Sequence, residues 1–129
     1  MDQAQALIID DNARNGNVLS LLLGDEGVEN TVITDPKQLE ATVNDSSRFN
    51  IVFLDLEFPG INGYEILEAL QSDPHFEGVP IVAYTVHTSE INKAYETGFH
   101  SFIGKPINSE KFPSQLARIL NGEHVWETV

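Results

Sequence analysis

Five positions set the chemical question: the acidic pair Asp10-Asp11, then Asp55, Thr85 and Lys105. Each stands at or just past the end of a short apolar run: "ALIID" (6–10), "IVFLD" (51–55), "VPIVAYT" (79–85) and "HSFIG" (100–104). If those ends meet, three acids, a hydroxyl and an amine share one small volume. Clustered carboxylates repel one another, and a divalent cation stabilises them. Hard oxygen ligands suit Mg²⁺, which keeps waters and takes a few carboxylates plus a phosphate oxygen. An aspartate beside that ion can act as a nucleophile and hold a phosphoryl group as an acyl phosphate. The ion, a lysine and a hydroxyl would stabilise the equatorial oxygens during transfer. Singly, each residue has an ordinary role as a cap or turn aspartate, a strand threonine or a solvated lysine. Their common place at strand ends favours the joint reading.

The elements that must position them follow from the apolar pattern. The four runs above and "NTVIT" (30–34) are continuous rather than alternating, as in strands buried on both faces of a parallel sheet. Helical stretches lie between them. Val18, Leu19, Leu21, Leu22 and Leu23 load one side of the first. Asp35-Pro36-Lys37-Gln38 opens the second with an N-cap, a proline at the first helical position and a Gln placed for a capping box, after which Leu39 and Val43 sit four apart. Ile66, Leu67 and Leu70 form the stripe of the third, and Ile91, Ala94 and Tyr95 that of the fourth, with Gly98 as its stop. Phe112, Leu116, Ile119 and Leu120 follow i, i+4, i+7, i+8 in the fifth. Pro113 moves the expected start of that helix to about Phe112, after a tighter turn. Strand and helix alternate five times. This predicts an α/β fold, a doubly wound (βα)5 with a parallel five-stranded sheet and helices on both faces. In such sheets the ligand site lies outside the carboxyl ends of the strands.

The chain has 129 residues, enough for one domain with its own core. Hydrophobic residues make up 41% and charged ones 21%, which excludes wholesale disorder. There is no run of about 18 apolar residues, and no basic region precedes the apolar segment of "MDQAQALIIDD". Cysteine is absent, which removes disulfides and thiolate metal sites. The expected location is the cytoplasm. A net charge of −13 opposes nucleic acid and anionic membranes, and leaves cations or basic protein surfaces as attractors. No repeat, low-complexity segment or linker interrupts residues 5–121. Beyond them, in "NGEHVWETV", Trp126 either packs on the body or docks a partner.

Residues 6–121 resemble the receiver domain of two-component response regulators, of the chemotaxis-regulator kind. The pieces are "LIIDDN" (7–12), "FLDLEFPGINGYE" (53–65), "IVAYT" (81–85) and "GFHSFIGKPI" (98–107). The resemblance implies a flavodoxin-like strand order and a single domain over 1–129, its core at 6–121 and a tail at 122–129. It implies Asp55 as phosphoacceptor, and Asp11 as a direct ligand of Mg²⁺, with Asp10 acting through water and the Glu57 carbonyl completing the protein set. Lys105 would pair with the phosphoryl group and Asp55, and Thr85 would hydrogen-bond a phosphoryl oxygen. Phe102 holds the family's switch position, turning inward as Thr85 moves. Pro106 matches a position where the family commonly has a cis bond. Pro59, Gly60 and Gly63 would shape the turn beside Asp55. The implied partners are a sensor histidine kinase or a histidine phosphotransfer protein, and a downstream protein target contacted through the fourth helix, fifth strand and fifth helix. No output segment follows Val129, so the chain is expected to act through protein contacts, alone or as part of a larger regulator or hybrid kinase.

Two departures stand out. Val86 follows Thr85 where the family has alanine or glycine, and should narrow access to Asp55. Glu57 and His87 flank two site residues, and are expected either to approach across the site mouth and restrict water or to be plain surface side chains. One rival function is a small Mg²⁺-dependent aspartyl phosphohydrolase of haloacid-dehalogenase type. It would use an acid two residues after the nucleophile, but Asp55-Leu56-Glu57-Phe58-Pro59 lacks the threonine of D-x-D-x-T. Another is a phosphorylation-independent interaction module on the same fold.

Overall fold

The computed structural model describes residues 4–35, 37–43, 48–58 and 61–128. Element order is β1 (Gln5–Ile9), α1 (Ala13–Asp25), β2 (Glu29–Ile33), α2 (Gln38–Val43), β3 (Ile51–Asp55), β4 (Glu57–Phe58), β5 (Ile61–Asn62), α3 (Gly63–Gln71), β6 (Ile81–Thr85), α4 (Ile91–Thr97), β7 (Ser101–Gly104), α5 (Phe112–Leu120) and β8 (Trp126–Glu127). Two 3₁₀ turns, Pro74–Phe76 and Thr88–Glu90, precede β6 and α4. The main sheet runs β2-β1-β3-β6-β7-β8 with every neighbouring pair parallel, while β4 and β5 form a separate antiparallel ribbon. This is the predicted doubly wound, flavodoxin-like order with its reversal between β1 and β3.

Alternation along each strand sends neighbouring side chains to opposite faces. Leu7, Ile9, Val52, Leu54, Ala83 and Phe102 point to one side and meet Ile66, Leu67 and Leu70 of α3 and Ala94 of α4. Ala6, Ile8, Ile51, Phe53, Val82 and Ile103 point to the other and meet Leu19 and Leu23 of α1 and Phe112, Leu116 and Ile119 of α5. Strands β3 and β6 are buried along their full length, so both needed unbroken apolar runs.

Local signals behave as expected in most places. Asp35 Oδ1 accepts from Lys37 N–H, and Gln38 Oε1 accepts from Asp35 N–H at 3.2 Å, closing the capping box. Gly98 ends α4 with φ +102°. Helix α5 starts at Phe112, whose N–H reaches the Asn108 carbonyl at 2.9 Å. Pro36 lies outside the described residues, as does the side chain of Val43.

Three expectations change. Leu19 and Leu23 of α1 are buried, whereas Val18 is 51% and Leu21 71% exposed. Five apolar residues within six positions cannot share one face at 3.6 residues per turn. Tyr95 of α4 is exposed and lies against Trp126 instead of the core. The five-stranded sheet gains a sixth strand, because Val125 is drawn into the core and carries Trp126 and Glu127 onto the β7 edge.

Candidate functional site

Neighbouring strands bring the expected residues together. Register pairs Ile9 with Leu54 and Asp55 with Tyr84, and Thr85 with Gly104. The residues just past those pairs are Asp10, beside Asp55, and Lys105, beside Thr85. Asp10 is fully buried and Asp55 is 4% exposed, whereas Asp11 faces solvent. One carboxylate oxygen from each of Asp10, Asp11 and Asp55 lies within 4.8 Å of the others. Lys105 Nζ sits 3.2 Å from Asp10 Oδ2 and 3.2 Å from Asp55 Oδ2, with only 9% of its side chain exposed.

Asp55 is the last residue of β3, at the carboxyl end of the sheet. Gly63 opens α3 against Leu56, where an added Cβ would lie 2.7 Å from the Leu56 Cα, so no larger residue fits without moving backbone. Asn62 caps the helix by accepting from Tyr64 N–H at 2.9 Å. Pro59 and Gly60 lie outside the described residues. Glu57 is placed in β4 as backbone, and its side chain is likewise outside what is described.

The lysine strand is fixed on both sides. Lys105 N–H donates to the Thr85 carbonyl at 2.9 Å, and the Lys105–Pro106 peptide bond is cis. Thr85 is buried, and its Oγ1 accepts from His87 N–H at 3.1 Å. Phe102 is buried two residues before Gly104, in the cluster shared with α3 and α4. Val86 is 56% exposed and lines a cavity with Val18, Tyr84, Lys105, Pro106 and Ile107, so it forms a wall beside Lys105. His87 is exposed.

Tyr84 was not singled out by the sequence, where it reads as one more apolar strand residue. Its hydroxyl donates to Asp10 Oδ2 at 2.6 Å, and its ring lies under Lys105 Nζ at 4.2 Å from the centroid. Burial, and then the hydrogen bond and charge of Asp10, push the phenol far above its usual ionisation range. The only signal available was its position next to Thr85 in a strand that ends at the site.

The donor set fits a hard divalent cation. Three carboxylates cluster and one ammonium faces two of them, which leaves an excess of negative charge, and all candidate ligands are oxygens. Among the described residues no other group of three such ligands occurs.

Comparison with known proteins agrees with this arrangement. Residues 6–117 match the family described as "Response regulator receiver domain". The DNA-binding response regulator MtrA of Mycobacterium tuberculosis (strain H37Rv) is 32% identical over 112 residues, covering 85% of this chain and 47% of that protein. Protein RcaC of Microchaete diplosiphon is 29% identical over 124 residues, covering 95% of this chain and 19% of that protein. The chain thus spans less than half the length of these curated relatives. The chemotaxis response regulator CheY4 of Vibrio cholerae superposes with a TM-score of 0.80 at 26% identity, over 92% of this chain and 99% of that one. The receiver domain of the sensor histidine kinase PA1611 from Pseudomonas aeruginosa, solved with magnesium in its active-site cleft, shares the fold with a TM-score of 0.80 at 20% identity, over 94% and 100% of the two chains. With sheet order, acidic cluster and family match all in agreement, this chain belongs to the response regulator receiver domains.

Proposed function

We propose that the chain accepts a phosphoryl group on Asp55 from a histidine kinase or a histidine phosphotransfer protein, and that phosphorylation of Asp55 alters the surface formed by α4, β7 and α5. The observation that carries this reading is the placement of Asp55. It is a nearly buried carboxylate whose Oδ2 lies 3.2 Å from an ammonium, at the mouth of an acidic cluster. An oxygen of Asp55 attacks phosphorus, the phosphorus–nitrogen bond of the phosphohistidine breaks, and its electron pair returns to the imidazole. Lys105 neutralises charge on the phosphoryl oxygens, and Thr85 offers them its hydroxyl hydrogen. Asp11, Asp55 and the Glu57 carbonyl, with Asp10 through water, would hold Mg²⁺, which when bound would supply further neutralisation of those oxygens.

The reading is that of a signalling domain rather than a turnover enzyme. It places receiver function in residues 6–121 and leaves 122–129 as a tail. Output goes to a protein target, since a charge of −13 opposes contact with nucleic acid or an anionic membrane. Among the described residues no helix is long and apolar enough to cross a membrane.

The test is incubation of wild type and Asp55→Asn with acetyl phosphate, with and without Mg²⁺, followed by intact mass. Wild type should gain about 80 Da, one phosphoryl group, only with Mg²⁺, and the variant none. Catalytic turnover of simple phosphate esters, or no gain under any donor, would overturn the assignment.

A further inference from the structure

Lys105 Nζ has two carboxylate oxygens at the same distance, Asp10 Oδ2 and Asp55 Oδ2, each 3.2 Å away. A tight ammonium–carboxylate contact measures roughly 2.8 Å, so the ammonium is shared and closes on neither acid. Tyr84 is a further neighbour. Its ring centroid is 4.2 Å from Nζ, inside cation–π range. Its hydroxyl donates at 2.6 Å to Asp10 Oδ2, the same oxygen that Lys105 faces. One side chain thus acts on the ammonium twice, directly through its ring face and indirectly through Asp10.

Tyr84 is itself fixed. It is 1% exposed, its ring meets Phe53 edge-on with centroids 6.2 Å apart, and its backbone pairs with Asp55. A ring held in this way gives Lys105 a reference point tied to the strand that carries Asp55. The surroundings make such a point necessary. Lys105 and Tyr84 line a cavity of about 250 Å³ together with Val18, Val86, Pro106 and Ile107, whose side chains offer an ammonium no anion. A flexible lysine stem has many rotamers available there. Asp10 is fully buried, and a buried carboxylate with no other donor on Oδ2 would draw the ammonium into a closed pair. The phenol hydrogen occupies part of that oxygen and limits its hold on Lys105.

We propose that Tyr84 is a positioning residue for Lys105: its ring keeps the ammonium over the site, and its hydroxyl competes for Asp10 Oδ2, so that Nζ stays shared between Asp10 and Asp55 and can follow an oxygen added at Asp55. The kinetic consequence rests on the proposed transfer of a phosphoryl group to Asp55, whereas the placement of the ammonium does not. A cation speeds transfer when it already stands where negative charge develops, and an ammonium closed on Asp10 must first be pulled away. Removing the hydroxyl alone favours closure on Asp10. Removing the ring as well releases the lysine stem into the cavity.

The test reads Lys105 by NMR in the full chain, free of metal and carrying isotope-labelled lysine, with its signal identified by loss in Lys105→Arg. Lys93, whose Nζ lies 4.5 Å from the Tyr64 centroid, is the internal control. In wild type the Lys105 ε-methylene should be shifted upfield by the ring and show Overhauser contacts to the Tyr84 ring protons. Tyr84→Phe should keep those contacts, Tyr84→Leu should lose the upfield shift, and Lys93 should stay unmoved in both. Labelling by acetyl phosphate with Mg²⁺ is then timed by intact mass in chains shown to be folded by circular dichroism. Its rate should fall about threefold in Tyr84→Phe and about tenfold in Tyr84→Leu. An unshifted Lys105 in wild type, a shift that survives Tyr84→Leu, or labelling as fast in either variant as in wild type overturns the proposal. A wild type that takes no label counts against the assignment of Asp55 instead, and the spectra alone then decide the placement of Lys105. If Tyr84→Leu does not fold, wild type and Tyr84→Phe decide: the contacts must be present in both and labelling slower in the second, and failure of either refutes the positioning role.

Discussion

Tyr84 and Asp10 share a hydrogen bond of 2.6 Å, phenol to Oδ2, with both residues almost wholly removed from solvent. The same oxygen faces Lys105 Nζ at 3.2 Å, and Oδ1 accepts from Asn12 N–H at 2.9 Å. Three donors thus act on a carboxylate that has about four acceptor positions. Asp10 is held rigidly and has little left to offer a cation directly, which suits the proposed role through water. Tyr84→Phe keeps the ring under Lys105 and deletes only the donor. It should cost about 2 kcal/mol, since a buried bond to a charged acceptor is lost. Urea midpoints of Tyr84→Phe, Asp10→Asn and the double variant would show coupling of the two changes; strict additivity would contradict the bond's importance.

Lys105 is the cation that faces Asp10 and Asp55 together. Lys105→Ala leaves two buried carboxylates beside exposed Asp11 with no ammonium between them. Breaking a buried pair in this way should cost about 3 kcal/mol in metal-free buffer. A divalent cation bound to the folded form alone stabilises by mass action. Mg²⁺ should therefore raise the urea midpoint of both proteins, and of the variant more. An equal gain in the two would separate the cation from this cluster.

Much of this site was legible because its residues sit at strand ends, and strand ends could be read from continuous apolar runs. The β3 run "IVFLD" ends at Asp55 as written in the sequence, and β6 ends at Thr85. Register did the rest, as it aligns the ends of four parallel strands without further instruction. Tyr84 escaped notice because an apolar ring and a buried hydroxyl look the same in sequence; only pairing with Asp55 places it beside Asp10. The sixth strand escaped because two residues carry no period, and what recruits them is Val125 in the core and Gly104 making room. The α1 stripe was overread, since Val18 and Leu21 point outward while Leu19 and Leu23 point in.

The pairing of His100 with His124 predicts how the tail responds to acid. The rings stack with centroids 4.1 Å apart, His124 Nδ1 lies 2.8 Å from the His100 carbonyl, and His100 Nδ1 lies 2.9 Å from Ser101 Oγ. Burial first, and then His124, hold the His100 pKa below its ordinary value of 6.5. The unfolded chain therefore takes up the His100 proton more readily than the folded one. The sign follows: this contribution is complete above pH 6.5 and is lost as pH falls below it. Ser101 links the change to the tail, because its Oγ accepts from Val125 N–H. Between about pH 7 and pH 5.5, exchange of the Val125 amide should speed up relative to the β3 amides, after correction for intrinsic rates. His100→Gln should flatten that difference; an unchanged slope would remove His100 from the account.

Trp126 is the one tryptophan of the chain, and it pairs with the proposed switch residue Phe102. On the other side Phe102 pairs with Ala83, two residues before Thr85. Thr85 itself pairs with Gly104, the residue that faces the Thr128 carbonyl. Phe102 and Gly104, on either side of Ile103, thus carry contacts from the end of β6 across β7 to the tail. Thr85 Oγ1 accepts from His87 N–H, so the hydrogen it can offer a phosphoryl oxygen is its own, and moving Oγ1 toward that oxygen would lengthen the contact with His87 N–H just past the end of β6. Packed elements of this kind have discrete alternative arrangements and respond by changes in population. Acetyl phosphate with Mg²⁺ should therefore change Trp126 emission in wild type in step with the mass gain. Asp55→Asn should show no change, and Thr85→Ala should take the label with a much smaller emission change. Full labelling of wild type with a constant spectrum would mean that the tail does not sense the site; an emission change in Asp55→Asn would trace the signal to donor or cation bound elsewhere.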